Sequence, residues 1–272
     1  SSYRYIMLTI EVMGGLGNQL FQIFAVMAYS LRHNIPFYFE RSRPSRGDRP
    51  FYWDTMFKNI ASSLRDKRNI PVLKEPHFHY TEIPLVNKHF KLYGYFQSYK
   101  YFKDQQQLIY NTLDVSSMRK ELKRKDRHKV SMHFRLGDYK AIQQHHPIMK
   151  ADYYSSALSR LSKDTNKKDW TVLYFYEQQD KTQVENTIHT LKKIYPEMSF
   201  EPISQHYTDW QQMLIMSGCG HNIIANSTFS WWGSYLNDSI HNTYYPSKWF
   251  GPAQGDKKMD DLFPPHWIKI PC

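Results

Sequence analysis

Residues 6–17 read IMLTIEVMGGLG, and this stretch decides the fold class. Its first seven residues form an apolar run that is typical of a strand, and the glycines that follow are typical of a tight turn. From Asn18 to Leu31 apolar residues recur at helical spacing, and residues 36–39 form a second apolar run. A strand, a glycine turn, a helix and a second strand predict a βαβ unit, and therefore an α/β protein.

The second half of the chain repeats this alternation of strands and helices. A densely charged run at 119–129 separates the halves, so we predict one domain over residues 1–127 and another over 128–272. We expect two Rossmann-like domains that face each other across a cleft. In the first domain we predict a loop at 41–48 and a strand at 92–98; in the second we predict strands at 130–136, 171–176, 199–203 and 221–225, with helices at 153–161, 182–194, from Thr208 and after Asn226.

The composition excludes several classes of protein. The chain has 272 residues, of which 41% are hydrophobic, so it has enough apolar content for a core and is not globally disordered. It has no run of about 18 apolar residues, so we predict no membrane helix. Its two cysteines are too few for a disulfide scaffold. We expect a cytoplasmic protein, or one in the Golgi lumen if an N-terminal anchor has been removed.

The charge balance favours an anionic partner. Lys and Arg number 36 against 25 Asp and Glu, which gives a formal net charge of +11. Such a charge attracts nucleic acid, an acidic membrane or a phosphate-bearing small molecule. The sequence has no aromatic and basic motif for nucleic-acid recognition, so we expect no nucleic acid. A polyanion-binding protein without catalytic activity is kept as an alternative.

The predicted strand at 130–136 carries the most informative chemical pattern. Side chains alternate between two faces, so His133 and Arg135 are expected on one face, about 7 Å apart. The strand ends at the turn Gly137-Asp138. Open α/β sheets bind ligands at the carboxyl ends of strands, and a guanidinium there is suited to a diphosphate. Alternatively, an Arg135–Asp138 ion pair holds the turn together.

A second candidate anion site lies in the segment Asn226-Ser227-Thr228, which follows a strand and opens a helix. Backbone N–H groups at a helix start, here including that of Phe229, bind anions, and the two hydroxyls add donors. The alternative is plain capping of the helix by Ser227 or Thr228.

The glycine turn is a third candidate site. Gly15, Gly17, Asn18 and Gln19 stand where the strand meets the helix, so a ligand can approach the backbone closely. The turn lacks the third glycine of a dinucleotide fingerprint and the Lys-Ser/Thr pair of a phosphate loop, so neither NAD nor ATP use follows. The alternative is a tight turn without a ligand.

No metal or cofactor is predicted. The chain contains no Asp-x-Asp triplet that would chelate a metal for a nucleotide diphosphate. Its histidines lack the spacing of zinc ligands.

Taken together, these segments resemble the α-1,2-fucosyltransferase family, whose members transfer fucose from GDP-fucose. The resemblance runs from Gly14 almost to the C-terminus. Its motifs stand in family order at residues 14–22, 94–98, 133–139, 153–154, 226–232 and 246–250.

The resemblance implies a GT-B fold and a metal-independent, inverting transfer of a deoxysugar to a sugar hydroxyl. The GDP-sugar donor would lie mainly on the C-terminal domain, and an oligosaccharide or glycoconjugate acceptor toward the N-terminal one. Arg135 would hold the β-phosphate, and Asp138 is the first candidate for the general base, before His133 and Glu177. The expected donor contacts are His133, Arg135, Glu177, Asn226, Ser227, Thr228, Phe229, Gly15, Gly17, Asn18 and Gln19.

The candidate acceptor contacts are Trp53, Gln97 and Tyr139. The aromatic residues around Tyr95 and the pair Trp231-Trp232 either pack in a core or stack on a sugar. We expect most of the first group, and at least one of the two tryptophans, to be core residues.

One segment departs from the family pattern. The family has a Ser-Asp-Asp-like step after the strand that ends here at Tyr176, whereas this chain has Glu177-Gln178-Gln179-Asp180. Glu177 takes the place of the first acid and Gln178 that of the second. If this region reads the nucleotide or ribose, the alternative donor is another nucleotide-activated 6-deoxysugar.

Overall fold

The computed structural model describes residues 5–41 and 50–272, so the predicted loop at 41–48 lies almost entirely outside the described residues. The chain divides into two compact units. The first contains the described residues up to Met118 together with Lys257–Pro264, and the second contains Arg119–Asp256 with Pro265–Cys272. The division therefore precedes the boundary that we predicted at 127/128.

The charged run belongs to the second unit because its arginines are bound there. Arg119 donates to the hydroxyl of Ser217 at 2.9 Å, and Arg127 donates to the side-chain oxygen of Asn237 at 2.8 Å. These contacts join residues about a hundred positions apart in the sequence, so charge density alone could not place the division.

The segment Lys257–Pro264 belongs to the first unit because of Asp261. One carboxylate oxygen of Asp261 accepts a hydrogen bond from the Tyr80 N–H at 2.9 Å, and the other forms an ion pair with Lys100. The backbone carbonyl of Asp261 accepts a hydrogen bond from the hydroxyl of Ser98 at 2.5 Å.

The first unit contains a three-stranded parallel sheet in the order β1-β5-β4, and β2 and β3 form a separate parallel pair. The helix α3 crosses the division between the units. The elements in this part of the chain are β1 (Leu8–Ile10), α1 (Leu16–His33), β2 (Phe39–Glu40), β3 (Leu64–Arg65), β4 (Val72–Lys74), β5 (Phe90–Tyr93), α2 (Gln106–Leu113) and α3 (Val115–Glu121).

The predicted βαβ start is present, with shifted bounds. The helix α1 ends at Asn34, whose left-handed backbone (φ 53°) terminates it, as the sequence predicts. The predicted strand at 36–39 begins only at Phe39, and the strand predicted at 92–98 ends at Tyr93. That strand stops because Gly94 and Phe96 have φ values of +155° and +53°, which extended chain does not adopt.

The second unit is built on a six-stranded, wholly parallel sheet in the order β11-β10-β9-β6-β7-β8. Together with the parallel sheet of the first unit, it confirms the α/β prediction. The elements are β6 (Lys129–His133), α4 (Ala151–Thr165), β7 (Thr171–Phe175), α5 (Lys181–Ile194), β8 (Ser199–Pro202), α6 (Asp209–Ser217), β9 (His221–Ile223), α7 (Thr228–Tyr235), β10 (Thr243–Pro246) and β11 (Ile268–Ile270).

The structure confirms two local predictions for the helices of this unit. The predicted capping box at the start of α6 is present between Thr208 and Gln211. Trp231 and Trp232 are both fully buried, so neither is a sugar platform. In the part of the chain that the structure describes, no helix has the combined length and apolar character to cross a membrane.

Candidate functional site

The site in the second unit lies where three neighbouring strands end. The strands β7, β6 and β9 are adjacent and parallel, so Glu177, Arg135 and the segment 226–229 all follow the same edge of the sheet. This is the edge at which open α/β sheets bind ligands. The loops after β6 and β9 touch, because the Tyr139 hydroxyl donates to the carbonyl of Asn226 at 3.3 Å.

We predicted Arg135 within the strand, but it lies two residues beyond the end of β6. The strand β6 ends at His133. The Phe134 N–H still donates to the Phe175 carbonyl, but the chain then leaves the sheet and forms a short helical turn at Gly137–Ala141. The strand-face argument therefore does not place Arg135 beside His133. What the sequence did predict is that Arg135 stands at the carboxyl end of the strand.

The Arg135 guanidinium is held from three sides. It donates to Asp138 at 2.5 Å, its Nη1 lies 3.8 Å from Glu177 Oε1, and its Cζ lies 4.3 Å from the centre of the Tyr139 ring. The ion pair with Asp138 is the one that the sequence left open as an alternative. Asp138 and Glu177 are largely exposed, so both carboxylates lie at the solvent side of the guanidinium.

Asp180 fixes the turn that carries Arg135, and sequence reasoning did not select it. It is 1% exposed, accepts a hydrogen bond from the Gly137 N–H at 3.0 Å and forms an ion pair with Lys140 at 2.8 Å. Gly137 has φ +43°, and a Cβ there would lie 2.5 Å from Arg135 Nη1. Asp180, two positions after Gln178, thus supports the turn that carries Arg135.

His133 is buried beneath this turn. Burial disfavours the imidazolium and the positive charge of Arg135 adds to the effect, so the pKa of His133 falls to about 3. Its ring lies 5.4 Å from the ring of Phe229, and its Nδ1 makes no hydrogen bond within the described residues. A neutral, buried imidazole of this pKa is a weak base.

The segment 226–229 caps the helix α7. Ser227 is the N-cap, and its hydroxyl accepts a hydrogen bond from the Phe229 N–H at 3.2 Å. The N–H groups of Ser227 and Thr228 precede the first intrahelical bond, so α7 itself leaves them without acceptors. The Asn226 amide nitrogen points inward and donates to the carbonyl of Pro147 at 2.8 Å, which braces the loop after β6.

The residues predicted at the glycine turn, Gly15, Gly17, Asn18 and Gln19, all lie in the first unit. Asn18 accepts a hydrogen bond from the Gln97 amide at 2.9 Å, and Gln19 donates to the carbonyl of Gly14 at 3.0 Å. Gly15 is the N-cap of α1, and Gly17 is buried within its first turn. The predicted acceptor contact Gln97 thus lies against the glycine turn.

Trp53 is not part of this group of contacts. Its ring packs 5.2 Å from that of Phe39 and 5.6 Å from that of Phe57. The aromatic residues after β5 divide in two: Phe96, Tyr99, Tyr101 and Phe102 are buried, while Tyr93 and Tyr95 are 45% and 39% exposed.

Glu75 is the functional candidate that sequence reasoning missed. It follows β4, and its Oε1 accepts a hydrogen bond from the Tyr95 N–H at 3.3 Å. Burial raises the pKa of Glu75 to about 7, against the opposing effect of the Tyr95 and Phe96 N–H groups and of Lys257. A lone glutamate between a strand and a proline carries no motif, so the sequence had no signal for it.

The described residues contain no group of three or more His, Cys, Asp or Glu side chains arranged to hold a metal ion.

A parallel α/β unit with cationic and helix-start groups at the ends of adjacent strands is typical of nucleotide-binding enzymes. Residues 4–271 match the family described as Glycosyl transferase family 11. The chain belongs to this family.

Two relatives from Escherichia coli are similar to parts of the chain. The O-antigen biosynthesis glycosyltransferase WbnK is 31% identical over 151 residues, which is 52% of this chain and 44% of WbnK. An alpha-1,2-colitosyltransferase is 27% identical over 186 residues, which is 65% of this chain and 61% of that protein. The matched region thus spans roughly half of the length of these relatives.

Two solved structures are distantly similar. A mutant of Arabidopsis thaliana FUT1 in complex with GDP is 13% identical with a TM-score of 0.49, and the match covers 96% of this chain and 74% of that one. A family 9 glycosyl transferase from Veillonella parvula DSM 2008 is 10% identical with a TM-score of 0.47, and the match covers 98% of this chain and 86% of that one.

Proposed function

We propose that this protein transfers L-fucose from GDP-β-L-fucose to a hydroxyl of an acceptor glycan, with inversion at the anomeric carbon and without a metal ion. An α-1,2 linkage is the expected product. The observation that carries the proposal is the position of Arg135 after the carboxyl end of β6, at the same sheet edge as the start of α7, in a chain of glycosyl transferase family 11.

The chemistry follows from where charge develops. The acceptor oxygen attacks the anomeric carbon, the bond from that carbon to the diphosphate breaks, and the electron pair leaves with GDP. Arg135 and the N–H groups of Ser227 and Thr228 stabilise the negative charge on the departing diphosphate. Because Asp180 and Asp138 hold the Arg135 turn in place, this stabilisation costs little reorganisation.

A related donor is the alternative. One relative is named for colitose, which like fucose is a 6-deoxysugar. The segment Glu177–Asp180 departs from the family pattern and lies next to Arg135. We therefore expect its side chains to distinguish one donor from another. Transfer from GDP-colitose in place of GDP-fucose would support this alternative.

The first experiment is calorimetric titration with GDP, UDP, CDP and dTDP, each with and without EDTA. We expect GDP to bind most tightly and EDTA to leave its affinity unchanged. Transfer from GDP-fucose to a panel of glycans follows. Tightest binding of UDP or dTDP, or loss of GDP binding in EDTA, would contradict the proposed donor or the metal-free mechanism.

The role of Arg135 is tested by Arg135→Ala. We expect kcat/KM to fall by about 10²–10³-fold, the range for the loss of one preorganised charge-stabilising group. Arg160→Ala is the matched control, because Arg160 is half-exposed and its ion pair with Asp164 lies within α4. Full turnover by a folded Arg135→Ala protein would overturn the assignment.

A further inference from the structure

The two groups that stabilise the departing diphosphate in the proposed reaction lie on different loops of the second unit. The Arg135 guanidinium belongs to the loop after β6, and the N–H groups of Ser227 and Thr228 belong to the loop after β9. Such groups act together only when they are held in place relative to each other, since a displacement of about 1 Å can cost about 100-fold in rate. A fixed connection between the two loops is therefore required.

Tyr139 contacts both loops at once. Its ring centre lies 4.3 Å from Cζ of Arg135, which follows the same strand. Its hydroxyl donates a hydrogen bond at 3.3 Å to the carbonyl of Asn226, the residue directly before Ser227. One side chain thus touches both the cation and the backbone that leads into α7.

The contact between Tyr139 and Arg135 differs in kind from the two ion pairs of this guanidinium. Asp138 and Glu177 offer carboxylate oxygens to its N–H groups, as a diphosphate would, so both compete with the ligand for those groups. The face of an aromatic ring attracts the cation and offers no such oxygen. Of these three contacts, the one with Tyr139 therefore holds Arg135 without competing with the diphosphate.

A second ring supports Tyr139. The His146 imidazole is stacked on it, with ring centres 4.6 Å apart and planes inclined by 13°, and the Phe250 ring lies 5.7 Å from that of His146. Because a guanidinium and an imidazole both pack on the Tyr139 ring, little of its area is left to stack on a sugar. This arrangement favours a supporting role for Tyr139 over direct contact with an acceptor.

The loop that carries His146 is bound in turn to the segment after β10. The carbonyls of His145 and Gln144 accept hydrogen bonds from the Gly251 and Ala253 N–H groups, both at 2.8 Å. A Cβ at Gly251 would collide with the Gln144 carbonyl, so this close approach requires glycine at 251. The position of His146 is therefore fixed by backbone contacts within the second unit, and Tyr139 packs against a fixed neighbour.

We propose that Tyr139, supported by His146, is the positioning residue that holds the Arg135 guanidinium and the start of α7 in one arrangement for the diphosphate. This inference rests on the proposed function, and it involves residues of the second unit only. It assigns Tyr139 to the donor side, in place of the acceptor contact predicted from the sequence. Tyr139 acts through Arg135 and the backbone before α7, and it takes no part in the bonds that form and break.

The test is Tyr139→Leu, which removes the ring and the hydroxyl and keeps an apolar side chain. We expect the Kd for GDP, measured by calorimetry, to rise about tenfold, because the ring contact and the hydroxyl hydrogen bond are both lost. The kcat for transfer should fall as well, since Arg135 is less well placed in the transition state. The KM for the acceptor should be unchanged.

Tyr195→Leu is the matched control. Tyr195 is likewise a half-buried tyrosine of the second unit, and its hydroxyl donates to a backbone carbonyl, that of Ser155, at 2.6 Å. The substitution removes a ring and a hydrogen bond of the same kind without touching Arg135. The control should therefore bind GDP as the wild type does.

Two further variants separate the parts of the contact. Tyr139→Phe keeps the ring on Arg135 and loses only the hydrogen bond to Asn226, so we expect a GDP affinity within about threefold of wild type. His146→Ala keeps Tyr139 and removes the ring stacked on it, and it should weaken GDP binding about threefold. A loss in Tyr139→Phe as large as that in Tyr139→Leu would overturn the role of the ring.

A double-mutant cycle shows whether Tyr139 acts through Arg135. In the Arg135→Ala background, Tyr139→Leu should change kcat/KM much less than it does in the wild type, because the group that the ring positions is absent. A residue that only stabilises the fold would give the same fold-change in both backgrounds. Equal fold-changes would therefore overturn the inference.

The outcomes distinguish this inference from the proposed function. A wild-type protein that binds no nucleoside diphosphate overturns both. One that binds UDP or dTDP most tightly overturns the proposed donor alone, and the same variants are then titrated with that nucleotide. Unchanged nucleotide affinity in folded Tyr139→Leu, with or without a raised KM for the acceptor, overturns the role of Tyr139 alone. If Tyr139→Leu does not fold, His146→Ala decides, and an unchanged affinity there overturns the inference.

Discussion

His133 shows how a single buried side chain links pH to stability. Its folded-state pKa of about 3 lies below the ordinary value of 6.5, so the unfolded chain binds the extra proton between these values. Stability should therefore be full above pH 6.5 and fall as the pH drops toward 3, by up to about 1.4 kcal/mol per pH unit. We expect His133→Asn to flatten this dependence in thermal unfolding between pH 7 and 4.

Two other histidines act in the same direction, so the informative quantity is a difference in slope. Burial also lowers the pKa values of His221 and His241. The exposed His189→Asn serves as the control variant. If the wild type and His133→Asn share one slope, His133 takes up its proton in the folded state.

The pKa of Glu75 is shifted in the opposite direction, so its contribution to stability depends on pH in the opposite way. Its folded-state pKa of about 7 exceeds the ordinary 4.5, so the folded protein holds the proton longer than the unfolded chain does. The contribution of Glu75 to stability is therefore present below pH 4.5 and is lost as the pH rises through 7. We expect Glu75→Gln to raise the unfolding temperature at pH 8 relative to wild type, and to change it least at pH 5.

A stability gain of Glu75→Gln at pH 8 would show that the buried, ionised carboxylate destabilises the folded protein. The exposed Glu82→Gln, which removes the same charge from the first unit, should show no such gain. An unfolding temperature of Glu75→Gln that tracks the wild type at both pH values would mean that the carboxylate is not destabilised by burial.

At the scale of elements, the turn after β6 decides where Arg135 points. Gly137→Ala combines a left-handed backbone (φ +43°) with a Cβ that would lie 2.5 Å from Arg135 Nη1. We expect a stability loss of about 1 kcal/mol from the backbone alone. Displacement of the guanidinium should in addition weaken GDP binding about tenfold, which corresponds to about 1.4 kcal/mol.

Gly255→Ala is the matched control for this turn. Gly255 has φ +70° and ψ −166°, so alanine strains the backbone there as well, but a Cβ there would meet nothing within 4 Å. The control should lose stability and keep its GDP affinity. Equal GDP affinity in Gly137→Ala and wild type would show that Arg135 tolerates the displacement or does not contact GDP.

The sequence predicted the alternation of elements, but not all of their ends. The helix α1 and the capping box of α6 were readable because spacing and caps are local. The strand predicted at 130–136 ends at His133, because the exit of the chain depends on the buried Asp180, which lies more than forty positions away. Local patterns do not contain that contact.

The same reasoning explains which site residues were readable. Arg135 and Ser227 were selected as candidates because they stand at or just after the carboxyl ends of predicted strands, where such sheets bind ligands. Glu75 was not found, because its properties come from the backbone of Gly94 and Tyr95, which the fold brings next to it. Residues whose chemistry depends on burial are visible only in the structure.

At the scale of the whole molecule, the distribution of charged residues along the sequence did not predict how the chain divides between the two units. The chain leaves the first unit after Met118 and returns to it with Lys257–Pro264. Asp261 holds this return by its contacts with Tyr80 and Lys100. The pairing spans more than 160 positions in the sequence, so it depends on the completed fold.

This return brings Lys257 near Glu75, and the last prediction concerns that coupling. The positive charge of Lys257 lowers the pKa of Glu75, against the larger effect of burial. Removing the charge by Lys257→Gln should raise the pKa of Glu75, so the stability that Glu75 contributes should be lost at a higher pH. We expect a shift of a few tenths of a pH unit in the pH dependence of the unfolding temperature, because a charge pair that is partly exposed is worth about 0.2–1 kcal/mol.

Lys258→Gln is the control, since Lys258 is the next residue in the chain, is exposed and is not among the groups that shift the pKa of Glu75. Raised salt should reduce the difference between wild type and Lys257→Gln, because it screens the interaction that the substitution removes. A pH dependence of stability that is unchanged in Lys257→Gln, or that shifts equally in Lys258→Gln, would mean that Lys257 does not act on the Glu75 carboxylate. The C-terminal segment would then stabilise the first unit without tuning its chemistry.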